Sequence, residues 1–229
     1  MSLNRSTMKI ADSPTDTVRK AVISGIAHGI KQLLRSFLTK VDIEKDLIVF
    51  WSRRRLFGIN SALLYMKTVN EHSIIPILRA YGAQVGNGCV VETAITFHNC
   101  ADFSGLHIMD NCHIGKNCFF DMRDTITIEE NATVSMGTYL ITHQDLGRSA
   151  LSSIYPTKNK GIRIKNDAYI GANTIVLMGV TVGECSIVAA GSTVKENIAD
   201  YTLAGGVPAR AIRQIDIKAV VKQHDSKAG

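Results

Sequence analysis

From Ile164 to Val194 an aliphatic residue returns at every sixth position: Ile164, Ile170, Val176, Val182, Val188 and Val194. Four places after the first five come Ala168, Thr174, Val180, Ser186 and Ser192, all small or β-branched. A period of six matches neither the alternation of an ordinary strand nor the 3.6 of a helix. It predicts a left-handed parallel β-helix in which each hexapeptide makes one short strand and a corner, with its aliphatic side chain inward. Three hexapeptides close one coil, so residues about eighteen apart stack and each coil adds a strand to three sheets. Gly171 and Gly183 directly follow their aliphatic residues, where the corner is expected to need a backbone conformation that a Cβ disfavours.

The same step extends toward the N-terminus. Val85, Val91, Phe97 and Phe103 keep it, Ile108, Ile114, Phe120 and Ile126 keep it after a one-residue slip, and Ile128, Val134 and Leu140 resume after a two-residue insertion. Repeats stop between Thr142 and Gly161, in HQDLGRSALSSIYPTKNKG. That break is long for a connection and reads as a protruding loop with a function. After Val194 the coil is expected to end, and YTLAGGVPARAIRQI to lead into a polar tail that can form a short helix.

Ahead of the repeats the period changes to that of a helix. Ser13-Pro14-Thr15-Asp16 is a helix start, and Val18, Val22, Ile26, Ile30, Leu33 and Phe37 follow at three- and four-residue steps, predicting an amphipathic helix to about Leu38. A second apolar cluster, Leu47 to Trp51, runs into Arg53-Arg54-Arg55. A third segment, Asn60 to Tyr81, carries Leu63, Leu64, Met66, Ile74 and Leu78, with Pro76 expected to kink or interrupt it. The chain is therefore expected to be mainly β: a helical N-terminal region over 1–81, a β-helix over 82–215 with the loop 143–161, and a tail over 216–229. Residues 1–3 read as a cloning remnant. The helical region is expected to close the open end of the β-helix.

At 229 residues and 45% hydrophobic content, the chain can bury one sizeable core and a small second unit. Its five cysteines are odd in number, lack a CxxC pair and fall among the repeats, so they are read as reduced. No stretch suits a membrane span or a signal peptide, which places the protein in the cytoplasm, with a peripheral position at the inner membrane open to it. The net charge of +6 is unevenly placed: residues 1–84 hold 13 Lys/Arg against 6 Asp/Glu, and residues 85–229 hold 13 against 14. That basic excess suits either a solvated helix surface or a face meeting anionic lipid. Nucleic acid is not expected, since basic residues are not interleaved with stacking aromatics.

The hexads, the ITHQD segment before the loop, YIGANTIVLMGVTVGECSIVAAGSTV and AGGVPARAIR together resemble the hexapeptide-repeat acetyltransferases. They are most similar to the sugar O-acetyltransferases of the galactoside and maltose type and to relatives in surface-polysaccharide synthesis. The resemblance covers roughly residues 82–215. It implies a homotrimer that transfers acetyl from acetyl-CoA to a hydroxyl of a sugar or glycan precursor, with sites between neighbouring β-helices and no metal. His143 is then the general base, a role that imidazole suits near neutral pH. Asp121, where sugar acetyltransferases commonly carry an acceptor-contacting asparagine, either accepts bonds from sugar hydroxyls or orients His143. The backbone N–H of Ala172 matches an oxyanion donor, and Ala190 a position lining the pantetheine arm. Arg210 and Arg213 resemble residues that meet CoA phosphates, and Gly205 and Gly206 let backbone approach the adenine end. Lys195 is a weaker match, because KENIADY departs from the family pattern there. Tyr169 falls on a cleft wall, and Arg148 and Tyr155 on the loop expected to select the acceptor. Serine- or streptogramin-type acetyltransferases and a non-catalytic trimeric scaffold are the alternatives. His98, His107 and His113 do not have the spacing of a zinc site.

Overall fold

The computed structural model describes residues 14–216. The chain forms two compact units, one up to Glu44 and one from Lys45 onward. Helix α1 (Pro14–Phe57) is continuous, so the amphipathic segment expected to end near Leu38 runs on through Leu47 to Arg55. Between Leu38 and Gly58 the helix meets no glycine or proline, and Gly58, with a φ of 81°, ends it. Helices α2 (Ile59–Met66) and α3 (Glu71–Ala80) follow. The break between them comes at 67–70 and not at Pro76, which lies inside α3.

In the second unit the chain winds into a parallel β-helix with three sheets. The first stacks Gln84–Val85, Leu106–Ile108, Ile126–Ile128, Ile162–Ile164 and Thr181–Val182. The second stacks Val90–Val91, His113–Ile114, Thr133–Val134, Tyr169–Ile170, Ile187–Val188 and Thr202–Gly206, closed by the antiparallel strand Ala209–Gln214. The third stacks Thr96–His98, Phe119–Asp121, Tyr139–Leu140, Ile175–Val176 and Thr193–Val194. Ile164, Ile170 and Val176 pair with Val182, Val188 and Val194, eighteen positions on. All six are fully buried. The small residues four places later, from Ala168 to Ser192, are at most 2% exposed, so aliphatic strands and small corners fill one continuous core. The corner hydroxyls spend their hydrogen bonds inside: Ser186 donates to the Ala199 carbonyl at 2.7 Å and Ser192 to that of Ala189 at 2.6 Å.

The glycines after the aliphatic residues serve space, not dihedral freedom. A Cβ on Gly171 would lie 2.8 Å from Ala190 Cα, and one on Gly183 2.5 Å from the Ala199 carbonyl carbon, but neither residue has positive φ. The left-handed conformation falls instead at Asp167, Asn173, Gly179, Cys185 and Gly191, again six apart. Asn, Asp and Gly tolerate it best, which makes Cys185 the exception.

Irregularities in the repeat have three structural causes. Phe103 is not a coil residue: the chain leaves the coil after His98, and Phe103 packs against Phe97 at 4.8 Å and Phe50 of α1 at 6.3 Å between ring centroids. With Tyr81 against Phe50 at 4.6 Å, these rings close the first coil. The insertion at Ile126–Ile128 is a three-residue strand with both ends inward, stacked on Leu106–Ile108 and under Ile162–Ile164. The coil also continues beyond Val194: Ile198 bridges Val182, and Thr202–Gly206 pairs with Ile187–Val188. YTLAGGVPARAIRQ is thus a β-hairpin, while the tail after Asp216 lies outside the described residues. The cysteines are free; burial pushes the Cys112 and Cys118 thiols up to about 11 and Cys100 up to about 12, which suits packing groups.

Candidate active site

Asp121 ends the third-sheet strand Phe119–Asp121, just after the inward Phe120. An outward position would normally be wet, yet Asp121 is 0% exposed, because Thr142 and His143 of the next coil cross over it. Its Oδ2 accepts the Thr142 N–H at 2.9 Å and lies 3.0 Å from the Thr142 hydroxyl, which also donates to the Asp121 carbonyl at 2.7 Å. Oδ1 accepts from Asn99 Nδ2 at 3.1 Å. The remaining bond to Oδ2 comes from His143 Nδ1. Burial alone would raise the Asp121 pKa, but the bonds from His143, Asn99 and Thr142 outweigh it and hold the carboxyl below its usual range.

An ionised carboxylate can only accept, so His143 Nδ1 carries the proton. In the neutral ring Nε2 then keeps its lone pair. The His143 side chain is 18% exposed. It is packed in place but open to a small reactant. With both oxygens bonded and no surface of its own, Asp121 has the geometry of the group that orients His143 and not of one that touches an acceptor.

The loop is anchored at its base. His143–Gln144 pairs antiparallel with Lys158–Asn159, Asn159 donates to Asp124 at 2.8 Å, and Asp145 accepts from Gly147 N–H at 2.7 Å while lying 3.6 Å from Arg123. Arg148 and Tyr155 are exposed on the loop beyond this clamp. A polar cavity of about 330 Å³ opens beside it, lined by Asn99, Asp102, Arg123, Asp124 and Asn159 among others. Toward the surface, the rings of His98 and His143 are 6.4 Å apart, His98 and Phe119 5.7 Å, and Phe119 stacks on Tyr139 at 5.5 Å.

Two edges of the β-helix carry the remaining candidates. His143 and Lys195 both leave the third sheet on the edge toward the first, His143 three residues after Leu140 and Lys195 directly after Val194, two strands further along the stack. Ala172 and Ala190 lie on the other edge of that sheet, on stacked corners tied by Gly191 N–H to the Ala172 carbonyl at 2.8 Å. Gly205 joins them, since a Cβ there would lie 3.0 Å from that of Ala189. Within one chain, then, His143 and Ala172 are not brought together. Arg210 and Arg213 pair with Gly205 and Leu203, and the register shift between Leu203 and Ala204 puts both on the face opposite the buried Ala204. Glu196 lies 3.3 Å from Lys195 and 3.6 Å from Arg210, joining the two cations. Tyr169 is 44% exposed on the outer face of the second sheet.

Asn99, Thr142 and Glu196 are site residues that spacing alone does not single out. Asn99 sits in the irregular stretch where the repeat is lost, and Thr142 reads as an ordinary corner threonine. His107 bonds Gln84 and His113 bonds Glu92, each at 3.1 Å. No group of three metal-ligating side chains occurs among the described residues, and no helix among them is long and apolar enough to cross a membrane.

The chain matches the family model described as hexapeptide repeat of succinyl-transferase over residues 106–141 and 161–196. Galactoside O-acetyltransferase of Escherichia coli K12 is 30% identical over 152 residues, which cover 61% of this chain and 68% of that protein. Among solved structures, a hexapeptide-repeat containing acetyltransferase from Vibrio cholerae superimposes with a TM-score of 0.58 at 25% identity, covering 76% of this chain and 93% of that one. A galactoside acetyltransferase in complex with coenzyme A gives 0.50 at 26% identity, covering 66% and 73%. The chain spans less than two thirds of other curated relatives, tetrahydropyridine-dicarboxylate N-acetyltransferases, of whose length 30% and 52% are matched in two examples. The stacked six-residue coils, the histidine before the loop and these similarities place the chain in the hexapeptide-repeat acetyltransferase family, as an acyltransferase.

Proposed function

We propose that the protein is an acetyl-CoA-dependent O-acetyltransferase that acetylates a hydroxyl of a sugar or glycan precursor. The observation that carries this reading is the His143 ring, whose Nδ1–H is held by buried Asp121 so that Nε2 is the basic atom. The acceptor O–H gives its proton to Nε2 as its oxygen bonds to the thioester carbonyl carbon. The resulting oxyanion takes a hydrogen bond from the Ala172 amide. The C–S bond then breaks, the thiolate takes the proton from the imidazolium, and CoA leaves. Similarity to a galactoside O-acetyltransferase and to a CoA-bound galactoside acetyltransferase supports both donor and acceptor class. The polar cavity beside His143's strand partner Asn159 suits a polyhydroxylated acceptor, because it offers carboxylates and amides in place of an apolar wall.

The same reading makes the protein a homotrimer in the cytoplasm. His143 and Ala172 lie on opposite edges of the third sheet, so one reacting centre needs the edges of two copies. Lys195, Arg210 and Arg213 supply charge for the CoA phosphates, Ala190, Gly205 and Gly206 line its path, and Tyr169, Arg148 and Tyr155 border the acceptor.

The deciding experiment is calorimetric titration with CoA, followed by acetyl transfer from acetyl-CoA to a panel of sugars. Saturable binding near one site per chain, with turnover lost by about a hundredfold or more in His143→Ala while CoA still binds, is expected. No binding at millimolar CoA by the folded protein would overturn the reading. Light scattering should give three times the 25.0 kDa chain mass.

A further inference from the structure

The segment 17–41 of α1 contains five basic residues, Arg19, Lys20, Lys31, Arg35 and Lys40, and no acidic one. In the part of it whose side chains are described, the apolar residues are outside: Ile30 is 61% exposed, Leu33 74%, Leu34 56%, Phe37 63%, Leu38 51% and Val41 45%. At 3.6 residues per turn these six cover about 140° of the helix circumference. Lys31 and Lys40 stand about 20° beyond the two borders of that arc, and His28, Gln32, Ser36 and Thr39 occupy the opposite side. Apolar side chains this exposed, in one continuous stripe, are not the surface of a helix finished by solvent.

We propose that this stripe lies in the surface of an anionic lipid bilayer, with the helix axis along the membrane plane. Three features favour lipid over a second copy of the chain. The arc is wider than a two-position coiled-coil seam. Its borders are lysine on both sides, so paired copies would set like charges together where coiled coils place opposite ones. Those lysines stand where long side chains keep their ammonium groups at the headgroup level while the stems and the aliphatic stripe enter the acyl boundary. The helix lies on the bilayer and does not span it, since no described helix has the length of apolar sequence needed. A fold that carries its chemistry on a β-helix thereby gains a means to meet a membrane-bound acceptor. That consequence rests on the transferase reading, but the membrane contact itself does not.

The test is co-sedimentation of the full chain with vesicles of phosphatidylcholine alone and of phosphatidylcholine with phosphatidylglycerol. Binding is expected only with the anionic lipid, weakening as salt rises. Leu34→Asp/Phe37→Asp and, separately, Lys31→Glu/Arg35→Glu/Lys40→Glu should each lower it by about tenfold or more, with CoA binding and circular dichroism unchanged. Failure of the unaltered protein to sediment with anionic vesicles would overturn the proposal. So would equal binding to both vesicles, or a lower oligomer mass in Leu34→Asp/Phe37→Asp, which would assign the stripe to a second copy.

Discussion

The carboxylate of Asp121 is sealed beneath the ring of His143 and accepts a hydrogen bond from its Nδ1–H, one coil behind it in the same β-helix. Two neighbours complete the arrangement, Asn99 from the coil before Asp121 and Thr142 from the coil of His143. Both carboxylate oxygens are thereby fixed by hydrogen bonds, so the ring is held in a single tautomer.

Asp121→Asn should therefore act through His143. An amide presents one oxygen and one nitrogen to three donors, which sets donor against donor at Asn99 or at the imidazole. The expected result is a fall in kcat of about a hundredfold or more with the KM for acetyl-CoA nearly unchanged. A parallel change in both constants would make Asp121 a purely structural residue.

The same carboxylate makes stability depend on acid. Its folded-state pKa lies below the ordinary value, so its contribution is fully present above the unfolded value of about 3.9 and is lost as pH falls through the folded one. Urea midpoints measured from pH 7 down to pH 3 should drop more steeply for the unaltered protein than for Asp121→Asn. Equal slopes would contradict the stated cause.

Charge at the hairpin end leads to a paired prediction. Arg210→Ala/Arg213→Ala should weaken CoA by at least about tenfold in calorimetry. Glu196→Gln should tighten it by about two- to fivefold, because the carboxylate that now pairs with Lys195 and Arg210 competes with a phosphate for them. Unchanged affinity in both variants would place the nucleotide elsewhere.

Gly171 tests the close stacking of corners. Gly171→Val puts side-chain atoms into the backbone of Ala190 and should cost about 3 kcal/mol or more in denaturant unfolding. Asn173→Ala has space but a φ of 56°, and should cost about 1 kcal/mol. The reverse order would mean that corner dihedrals, not coil spacing, limit the fold.

The coil architecture was legible in residues 164–194 because the repeat is set by local geometry: an aliphatic residue inward and a small corner four later recur wherever a strand of two residues turns. Distances between coils carry no such local mark. Phe103 continues the count of six but leaves the coil to meet Phe50, and Gly171 is read as a dihedral requirement when its cause is the backbone of Ala190, nineteen residues away. In the site, His143 stands out by its place before the loop, and Asp121 by its resemblance. Asn99 does not, since 22 residues of irregular spacing separate it from the carboxylate it satisfies.

By itself the sequence determined that a six-residue period builds a stacked β-helix, that a basic helix precedes it, and that one histidine opens the long loop. Only the tertiary structure decided that Asp121 is buried beneath that histidine, that His143 and Ala172 stand on different edges of the third sheet, and that the apolar stripe of α1 faces outward. The physical reason is range. Periodicity records what each residue needs from its own strand and corner, whereas burial, tautomer and exposure depend on which other segment of chain arrives to cover them.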